Sequence, residues 1–309
     1  MIKVAVVGIG SIGVHHARIF SELKGVDLSC VVDTDFKKAQ KAATQFNCRA
    51  YKDYASVLDK VDAVSIAAPT AMHFKIAMEC LKNDKDIFIE KPVTSTLKEA
   101  ETIISEAAKK DLIVQVGHLE RFNAGVSLIS RIIKNPRFIE SSRLSPFPGR
   151  SSDVDVTLDL MIHDIDIILT LVKSDISQLR ATGAKVLTNN LDIAYAWLEF
   201  RNGCIAEVVA SRIADKKTRQ LKVFQNNAYL TLDYMTQEVT CFRKVNGKVK
   251  KEFKKAKESE PLKEQLKSFA ACVKNRTQPL VSAVEGKEAL QVALKISELI
   301  NDANKTKIR

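Results

Sequence analysis

Several features are absent from this 309-residue chain, and each absence excludes a class of protein. No apolar run approaches the ~20 residues that a transmembrane helix needs, so we expect none. Glycines interrupt the apolar part of the N-terminal "MIKVAVVGIG" and no small-residue cleavage site follows, so we do not expect a signal peptide. The residues that are present, 46% hydrophobic and 28% charged, are typical of an ordinary globular protein. At ~150 residues per domain, the length predicts two domains.

Paired cysteines are also lacking, although the chain has six cysteines. None of them forms a CxxC pair, and several lie in apolar segments with strand-like or helical patterns. This usage favours reduced thiols in the core of a cytoplasmic protein and argues against a disulfide framework or a zinc site.

The chain has no recognisable nucleic-acid-binding module, although its net charge is +11 and its pI is about 9.3. Much of the excess charge lies in Arg243–Lys257, which contains the hairpin signal Asn246-Gly247. We interpret this segment as a solvated hairpin at a sheet edge, where lysines discourage pairing with other strands. A patch that contacts an acidic ligand is the alternative. We expect no nucleic-acid partner and no membrane partner.

The N-terminal segment has the pattern of a dinucleotide-binding site. Ile2–Val7 is a continuous apolar run, as in a buried parallel strand, and Gly8, Gly10 and Gly13 follow as GxGxxG before a helical pattern. Gly8 permits the tight turn, Gly10 lets backbone approach a pyrophosphate, and Gly13 lets helix and strand pack closely. Asp33 ends the next strand, 20 residues after Gly13, where a carboxylate accepts hydrogen bonds from the adenosine ribose. Because this carboxylate would repel a 2′-phosphate, we predict NAD rather than NADP.

Strand-like and helix-like segments alternate as far as residue 118. This order predicts a doubly wound parallel sheet, in which ligands bind beyond the carboxyl ends of the strands. Lys91 follows one such strand and precedes Pro92, which biases Lys91 toward an extended backbone. The Lys91 ammonium either reaches the nicotinamide end of the cleft or is a surface group paired with Glu90, and the local sequence favours neither.

A polar line crosses the apolar run Thr157–Val172, which contains no Gly or Pro. At ~100° per residue, one narrow stripe of the predicted helix carries four polar residues, Asp159, His163, Asp166 and Thr170. The stripe is either a solvated face or a catalytic line in a cleft, and the segment alone leaves both open. The spacing of Asp159 and His163 is compatible with a shared metal ion, but no local third ligand is evident, so we predict no metal.

Strand-like segments separated by turn signals dominate the region after residue 190, and they predict an antiparallel sheet. In "AYAWLEF" both alternating faces are largely apolar, with Tyr195 and Trp197 on the second face. Because one face is enough to pack against helices, an apolar second face predicts a subunit interface. We therefore expect a homodimer or homotetramer formed through this sheet.

Taken together, the motifs resemble the glucose–fructose oxidoreductase/inositol dehydrogenase/MocA family over the full length of the chain. The segments that carry the resemblance are "GIGSIG", "AAPTAMHFKIA", "IEKPVT", "VGHLERFN", "DLMIHDID", "EPLKEQLKSF" and "PLVSAVEGKEALQVALKI". The resemblance implies an α/β protein with an N-terminal Rossmann domain, a doubly wound parallel sheet, over residues 1–120. Residues 121–282 should form an α+β domain with a large, mainly antiparallel open sheet. Residues 283–309 should form a helix that packs back on the Rossmann domain.

The resemblance also implies an activity, the NAD-dependent oxidation of a secondary hydroxyl. Lys91 and His163 would flank the reacting carbon, with Asp159 one turn before the histidine. A neutral imidazole suits removal of the hydroxyl proton near neutral pH, and an ammonium can stabilise the developing alkoxide. Further cofactor contacts are implied at seven residues, Ile9, Ser11, Ile12, Pro69, Thr70, His73 and Glu90.

The branch of the family that oxidises C3 of UDP-N-acetylglucosamine, ahead of an aminotransferase, is the most similar in "VGHLERFN", "EPLKEQL" and the segment around "DLMIHDID". A UDP-sugar carries a diphosphate, for which arginine is well suited. Arg121, Arg143 and Arg150 are the candidates, and support of the fold is the alternative role for each. Asn123 would either bind sugar hydroxyls or cap the following helix.

Two other functions stay open from the sequence. One is oxidation of a free sugar, a polyol or another carbonyl substrate by the same fold and cofactor. The other is a dinucleotide-binding regulator that senses a ligand without turnover. The intact pair Lys91 and His163 favours an enzyme, because a sensor has no need of it.

Overall fold

The computed structural model describes residues 1–147, 154–256 and 259–307. The strands of this part of the chain are β1 (Ile2–Val7), β2 (Val26–Val32), β3 (Arg49–Tyr51), β4 (Ala63–Ile66), β5 (Asp86–Ile89), β6 (Val114–Val116), β7 (Phe138–Leu144), β8 (Ile176–Ala184), β9 (Ile193–Phe200), β10 (Ile205–Ser211), β11 (Thr218–Gln225), β12 (Ala228–Asp233), β13 (Glu238–Val245) and β14 (Lys248–Lys255). The α-helices are α1 (Gly13–Glu22), α2 (Phe36–Phe46), α3 (Thr70–Lys82), α4 (Leu97–Lys109), α5 (Ala124–Ser130), α6 (Ile162–Val172), α7 (Pro261–Asn275) and α8 (Ala283–Lys307). Short 3₁₀ turns lie at Ala55–Lys60 and Leu119–Phe122, and a π-helical turn lies at Thr157–Met161.

The chain divides into two compact units. The first comprises Met1–Leu119 and Glu260–Lys287, and the second comprises Glu120–Ser259 and Glu288–Arg309. Within the described ranges, none of the helices combines the length and the apolar character that crossing a membrane requires.

The first unit contains a six-stranded sheet in the order β3-β2-β1-β4-β5-β6, and all its pairings are parallel. The central strands β1, β4 and β5 are short and mostly apolar and buried; Val4 and Val6 of β1, for example, have no exposed surface. Strands buried on both faces need such continuous apolar runs, because helices cover both sides of a parallel sheet. The order confirms the predicted doubly wound fold.

The second unit contains an eight-stranded sheet in the order β14-β13-β12-β11-β7-β10-β9-β8. Among the described strands of this sheet, only β7 and β10 pair in parallel. Alternate strand residues such as Ala196 and Leu198 point into a core shared with α5, α6 and part of α8. The predicted large, mainly antiparallel sheet is confirmed.

The opposite face of this sheet carries a line of aromatic rings that we call the aromatic row: Trp197, Phe138, Phe224, Tyr229 and Phe242. Neighbouring ring centroids along the row are 5.8, 5.9, 4.7 and 5.6 Å apart. All five side chains are partly exposed, and Tyr195 beside Trp197 is 44% exposed. The second apolar face that the alternation in β9 predicted is therefore real and extends across several strands.

The described part of the lysine-rich segment, residues 243–256, contains the hairpin at the edge of the same sheet. Asn246 and Gly247 connect β13 to β14 with φ of 51° and 77°, as a tight hairpin turn requires. Every residue of β14 is exposed, and the strand pairs only with β13 among the described strands. The predicted solvated edge hairpin is confirmed.

The two units differ from the expected domain bounds in the placement of the C-terminal helices. Helix α7, expected in the second domain, contributes Leu266 and Phe269 to the core of the first unit. Most of α8, expected to pack on the Rossmann domain, contributes Ala289, Ala293 and other residues to the core of the second unit. The physical reason is that helical periodicity shows that a face is buried but not which core buries it.

Candidate active site

The glycine-rich turn lies where β1 ends and α1 begins. Gly8 has φ of +93°, and a Cβ placed on it would lie 2.7 Å from the backbone of Ala67. A Cβ on Gly13 would lie 1.8 Å from the carbonyl oxygen of Gly8, so helix and turn approach as closely as glycine allows. A Cβ on Gly10 would meet no atom within 4 Å. The space at Gly10, beside the start of a helix, fits the pyrophosphate of a dinucleotide.

Asp33 follows β2 at the same edge of the sheet and is bonded into the glycine-rich turn. Its Oδ2 accepts a hydrogen bond from the backbone N–H of Ile9 at 2.7 Å, and its Oδ1 accepts one from Asp35 at 2.8 Å. A carboxylate has about four lone-pair sites, so acceptor capacity is left for ribose hydroxyls. Asp33 therefore fixes the turn and is placed to receive the ribose.

The expected contacts beyond β4 divide into backbone and side-chain groups. Pro69 is the N-cap residue of α3, and Thr70 is its first residue, so both lie at a helix N-terminus beside the strand end. The His73 ring is 1% exposed, with Nδ1 2.9 Å from the Pro92 carbonyl and Nε2 2.8 Å from the Ala68 carbonyl. Burial lowers the pKa of His73, and those two contacts oppose the shift. The enclosed ring therefore bridges two loops, and the expected contact of His73 with the cofactor stays a prediction.

Glu90 is engaged by a residue that the sequence reasoning missed, His16 of α1. The Nε2 atom of His16 lies 3.1 Å from Oε1 of Glu90, and Oε2 of Glu90 accepts a hydrogen bond from the Lys91 N–H at 3.3 Å. Burial raises the pKa of Glu90, but the hydrogen bond and charge of His16 outweigh burial and hold it below its ordinary value. The signal in the sequence was a histidine at position 16, three residues from Gly13 and four from Phe20 on the buried face of α1.

The histidine motif of the second unit begins with a π-helical turn. Asp159 lies in this turn, and His163 lies in the first turn of α6. Asp159 has a 40% exposed side chain, whereas His163 is 8% and Asp166 3% exposed. The predicted stripe is therefore not a uniformly solvated face. π-Helical turns are frequent at functional sites.

Arg143 does not have the role proposed for it in diphosphate binding. It is 2% exposed, and its Nε and Nη1 donate to Asp164 at 2.6 Å and to Glu120 at 2.9 Å. Burial lowers the pKa of the guanidinium, but these two carboxylates raise it well above its ordinary value. The guanidinium also lies 5.1 Å from the ring centroid of Tyr234. Arg143 supports the fold, since a buried cation with two carboxylate partners has no access to a phosphate.

Asn123 caps the following helix, which was the alternative to a sugar-binding role. Its side-chain oxygen accepts from the Gly125 N–H at 2.9 Å and caps α5. Its side-chain nitrogen donates to Glu120 at 3.2 Å and to the Tyr234 carbonyl at 2.9 Å. The side chain is 1% exposed, so its hydrogen-bonding groups are used within the protein.

Two other arginines bear on the same motif. Arg121 Nη1 lies 3.4 Å from Asp166 Oδ1 and also contacts the hydroxyl of Thr170. Arg212, which the sequence reasoning missed, donates to the Val154 carbonyl at 2.8 Å and lies 4.0 Å from Asp159 Oδ2. Arg150, the third candidate for the diphosphate, lies outside the described residues.

The comparison with known protein families decides the identity of the fold. Residues 2–118 match the model described as "Oxidoreductase family, NAD-binding Rossmann fold", and residues 140–231 match the GFO/IDH/MocA C-terminal domain. The chain belongs to the GFO/IDH/MocA oxidoreductase family. The glycine-rich turn and Asp33 are thus part of an NAD-binding domain, and the predicted cofactor class is confirmed.

Individual family members resemble the chain to different degrees. UDP-N-acetylglucosamine 3-dehydrogenase of Acidithiobacillus ferrooxidans is 32% identical over 80% of this chain and 79% of its own length. Its solved structure superposes with a TM-score of 0.92 at 29% identity, covering 97% of each chain. scyllo-Inositol 2-dehydrogenase (NAD(+)) of Bacillus subtilis is 25% identical over 95% of this chain and 92% of its own. The scyllo-inositol dehydrogenase of Lactobacillus casei, solved with NAD(H) and scyllo-inositol, shares the fold, with a TM-score of 0.84 and 18% identity over 98% of each chain.

Proposed function

We propose that this GFO/IDH/MocA oxidoreductase oxidises the C3 hydroxyl of UDP-N-acetylglucosamine to a ketone. The observation that carries the proposal is the similarity to the Acidithiobacillus ferrooxidans enzyme, which reaches 32% identity in sequence and a TM-score of 0.92 in structure. Inositol dehydrogenases match at 25% and 23% identity over 95% and 99% of the chain, and at 28–31% identity over 57–68% of it. The product, a 3-keto sugar nucleotide, has the chemistry that an aminotransferase consumes.

We assign His163 as the general base that takes the hydroxyl proton. His163 is 8% exposed, and an imidazole is the side chain whose ordinary pKa suits proton removal near neutral pH. Lys91 is assigned to the same oxygen, where an ammonium stabilises developing alkoxide charge. Asp159, four residues before His163, is assigned to orient or electrostatically tune the imidazole. NAD, held at Gly8–Gly13 and Asp33, supplies the hydride acceptor.

The diphosphate of the substrate needs cationic partners. Arg121 and Arg150 stay as the proposed ones. The ion pair of Arg121 with Asp166 is long, at 3.4 Å, and its side chain retains 11% exposure, compared with 2% for Arg143. A guanidinium has five N–H donors, so Arg121 can keep this pair and still donate to a phosphate oxygen.

A second candidate substrate class is a cyclic polyol. It is favoured by the chain-length match to myo-inositol 2-dehydrogenase of Thermotoga maritima, which covers 99% of this chain and 98% of the relative at 23% identity. Such a substrate has no diphosphate, so Arg121→Ala should leave polyol turnover intact and should raise the KM for a UDP-sugar. The kinetics of the single variant Arg121→Ala with the two substrates therefore distinguish the two candidates.

The deciding experiment follows NADH absorbance after the protein is mixed with NAD and UDP-N-acetylglucosamine, in the presence of a carbonyl trap. We expect NADH from the unaltered protein, and at least ~100-fold less from Lys91→Met and from His163→Ala, because both lack a group used in the transition state. NAD affinity should stay within about twofold for both, since the pyrophosphate and ribose contacts are unchanged. NADH with myo-inositol but not with the UDP-sugar would refute the substrate, and full activity of either variant would refute its assigned role.

We also propose that the aromatic row lies in the interface of a homodimer or homotetramer. The run of partly exposed rings across four neighbouring strands and β9 leaves apolar surface that a subunit contact would bury. Interfaces are enriched in aromatic residues for the same reason. The six free cysteines, five of them buried, support a reducing compartment, and we propose the cytoplasm.

A further inference from the structure

We propose that His16 is a positioning residue for hydride transfer, acting through Glu90 on the backbone of Lys91. The inference rests on the proposed function in one respect, the assignment of Lys91 to the reaction. His16 lies on α1, on the side of the helix that faces the sheet, and it has no exposed surface. None of the roles assigned above to the glycine-rich turn involves His16.

The contacts form a continuous chain from β4 to Lys91. The hydroxyl of Ser65 on β4 lies 2.9 Å from Nδ1 of His16, and Nε2 of His16 lies 3.1 Å from Oε1 of Glu90. The other carboxylate oxygen of Glu90 accepts from the Lys91 N–H at 3.3 Å. The last hydrogen bond is made by the Lys91 backbone N–H. It therefore fixes the position of the Lys91 main chain, from which the side chain extends, rather than that of the ammonium.

The direction of the hydrogen bonds follows from the chemistry of the groups. Glu90 has a lowered pKa, so it is an ionised carboxylate near neutral pH and can only accept. Nε2 of His16 faces this carboxylate at an ion-pair distance of 3.1 Å without the alignment of a hydrogen bond, and the Ser65 hydroxyl holds the other ring nitrogen. A carboxylate with 12% of its side chain exposed would keep its charge and the Lys91 N–H but would lose the His16 contact, which is unfavourable.

Packing leaves the Glu90 carboxylate little room to move away from this arrangement. A Cβ on Gly117, which follows β6, would lie 2.7 Å from Oε2 of Glu90. The ring of Phe88 meets the His16 ring edge-on, with centroids 5.3 Å apart and an interplanar angle of 81°. The imidazole is thus enclosed, and the carboxylate, with 12% of its side chain exposed, is confined between His16 and Gly117. An apolar residue at position 16 would fill the same space without the donor.

The test compares His16→Phe, which keeps a flat ring but removes both nitrogens, with His16→Gln, which restores a donor. We expect His16→Phe to lower kcat ~100-fold at saturating NAD and substrate, because a displacement of reacting groups by about 1 Å has that effect. His16→Gln should recover most of the loss. With substrate deuterated at the reacting carbon, the isotope effect on kcat should increase in His16→Phe, since hydride transfer becomes slower relative to product release.

Asp86→Asn provides the matched control. Asp86 begins the strand that Glu90 follows, is 5% exposed, and accepts from Arg276 at 2.6 Å and from the Ile113 N–H at 2.7 Å. Its loss should lower the melting temperature and leave kcat within about twofold. A His16→Phe variant that melts lower but keeps wild-type kcat and isotope effect would overturn the proposal.

Two further measurements test the proposal if the first experiment cannot be carried out. If His16→Phe does not fold, Ser65→Ala removes only the contact at Nδ1 and should lower kcat by about tenfold; an unchanged kcat there would overturn the proposal. If the unaltered protein does not oxidise UDP-N-acetylglucosamine, the proposed substrate fails while His16 can still be tested by the fluorescence of bound NADH. Compared with the unaltered protein, the emission should change in His16→Phe and not in Asp86→Asn. An unchanged emission in His16→Phe would overturn the positioning role.

Discussion

Asp33 combines an observed structural role in the glycine-rich turn with a proposed role in selecting the cofactor. It accepts hydrogen bonds from the N–H groups of Ile9 and Asp35 and directly follows β2. We expect Asp33→Asn, which removes the charge at constant size, to raise the NADP/NAD ratio of kcat/KM by ~10-fold or more. Asp33→Ala should do the same and also weaken NAD, because Ile9 loses its acceptor. Steady-state kinetics with both cofactors checks this, and an unchanged ratio in both variants would contradict the assignment.

The placement of a residue could be predicted where a motif fixes the backbone. It could not be predicted where the partners of the side chain come from elsewhere in the sequence. The glycine-rich turn and Asp33 follow from spacing, because strand, turn and helix are consecutive. Arg143 could not be assigned in this way, since its partner Asp164 lies on another element. The same holds for His73, whose ring meets a carbonyl 19 residues away.

At the scale of the elements, the glycine-rich turn makes a paired prediction. Gly10→Ala places a methyl group in open space, so the melting temperature should change little while NAD affinity falls ~10-fold or more from obstruction of the pyrophosphate. Gly13→Ala drives a methyl group into the Gly8 carbonyl and should lower both stability and affinity. Thermal unfolding with and without NAD distinguishes them. Equal melting temperatures for the two variants would contradict this account of the turn.

The loop between β8 and β9 depends on one buried carboxylate. Asp192 accepts from the N–H groups of Val186, Leu187 and Thr188 and from the Thr188 hydroxyl, at 2.7 to 2.9 Å. Burial raises the pKa of Asp192, but these hydrogen bonds lower it to about 2. Because the folded pKa lies below the unfolded one, the stabilisation is complete above pH ~4 and is lost as the pH falls toward ~2.

We therefore expect Asp192→Asn to lower the free energy of unfolding by about 2 kcal/mol at neutral pH. The difference from the unaltered protein should shrink as the pH is lowered from 5 to 3. Urea unfolding across that range checks the prediction. A difference that does not vary with pH would mean that the charge of Asp192 is not what stabilises the loop.

Element types could be predicted because periodicity and turn residues are local signals. The antiparallel strands and the hairpin at Asn246-Gly247 follow from alternation and from a turn sequence. The π-helical turn Thr157–Met161 could not be predicted, since its residues have the same apolar pattern as the α-helix that follows. Strand β8 was also missed, because its alternating residues are mostly only partly buried.

At the scale of the molecule, the open face of the large sheet makes a prediction about assembly. Tyr195→Glu places a charge on that face beside Trp197 and should convert a dimer or tetramer to smaller species. Val186→Glu is the matched control, because Val186 is 56% exposed on a loop outside the sheet. Light scattering during gel filtration measures both. A monomeric unaltered protein, or an unchanged mass for Tyr195→Glu, would refute the proposed interface.

The first unit is built from two separated stretches of chain, and this has a consequence for synthesis. Phe269 of α7 packs against Phe88 of β5 with ring centroids 5.8 Å apart, and Gln115 of β6 donates to the Gln265 carbonyl. The ribosome therefore makes the whole eight-stranded sheet before the residues that finish the nucleotide-binding core exist. At about 5–20 residues per second, the wait lasts roughly 8–30 s. During that interval the nascent first unit presents the apolar surface that Leu266 and Phe269 of α7 later cover.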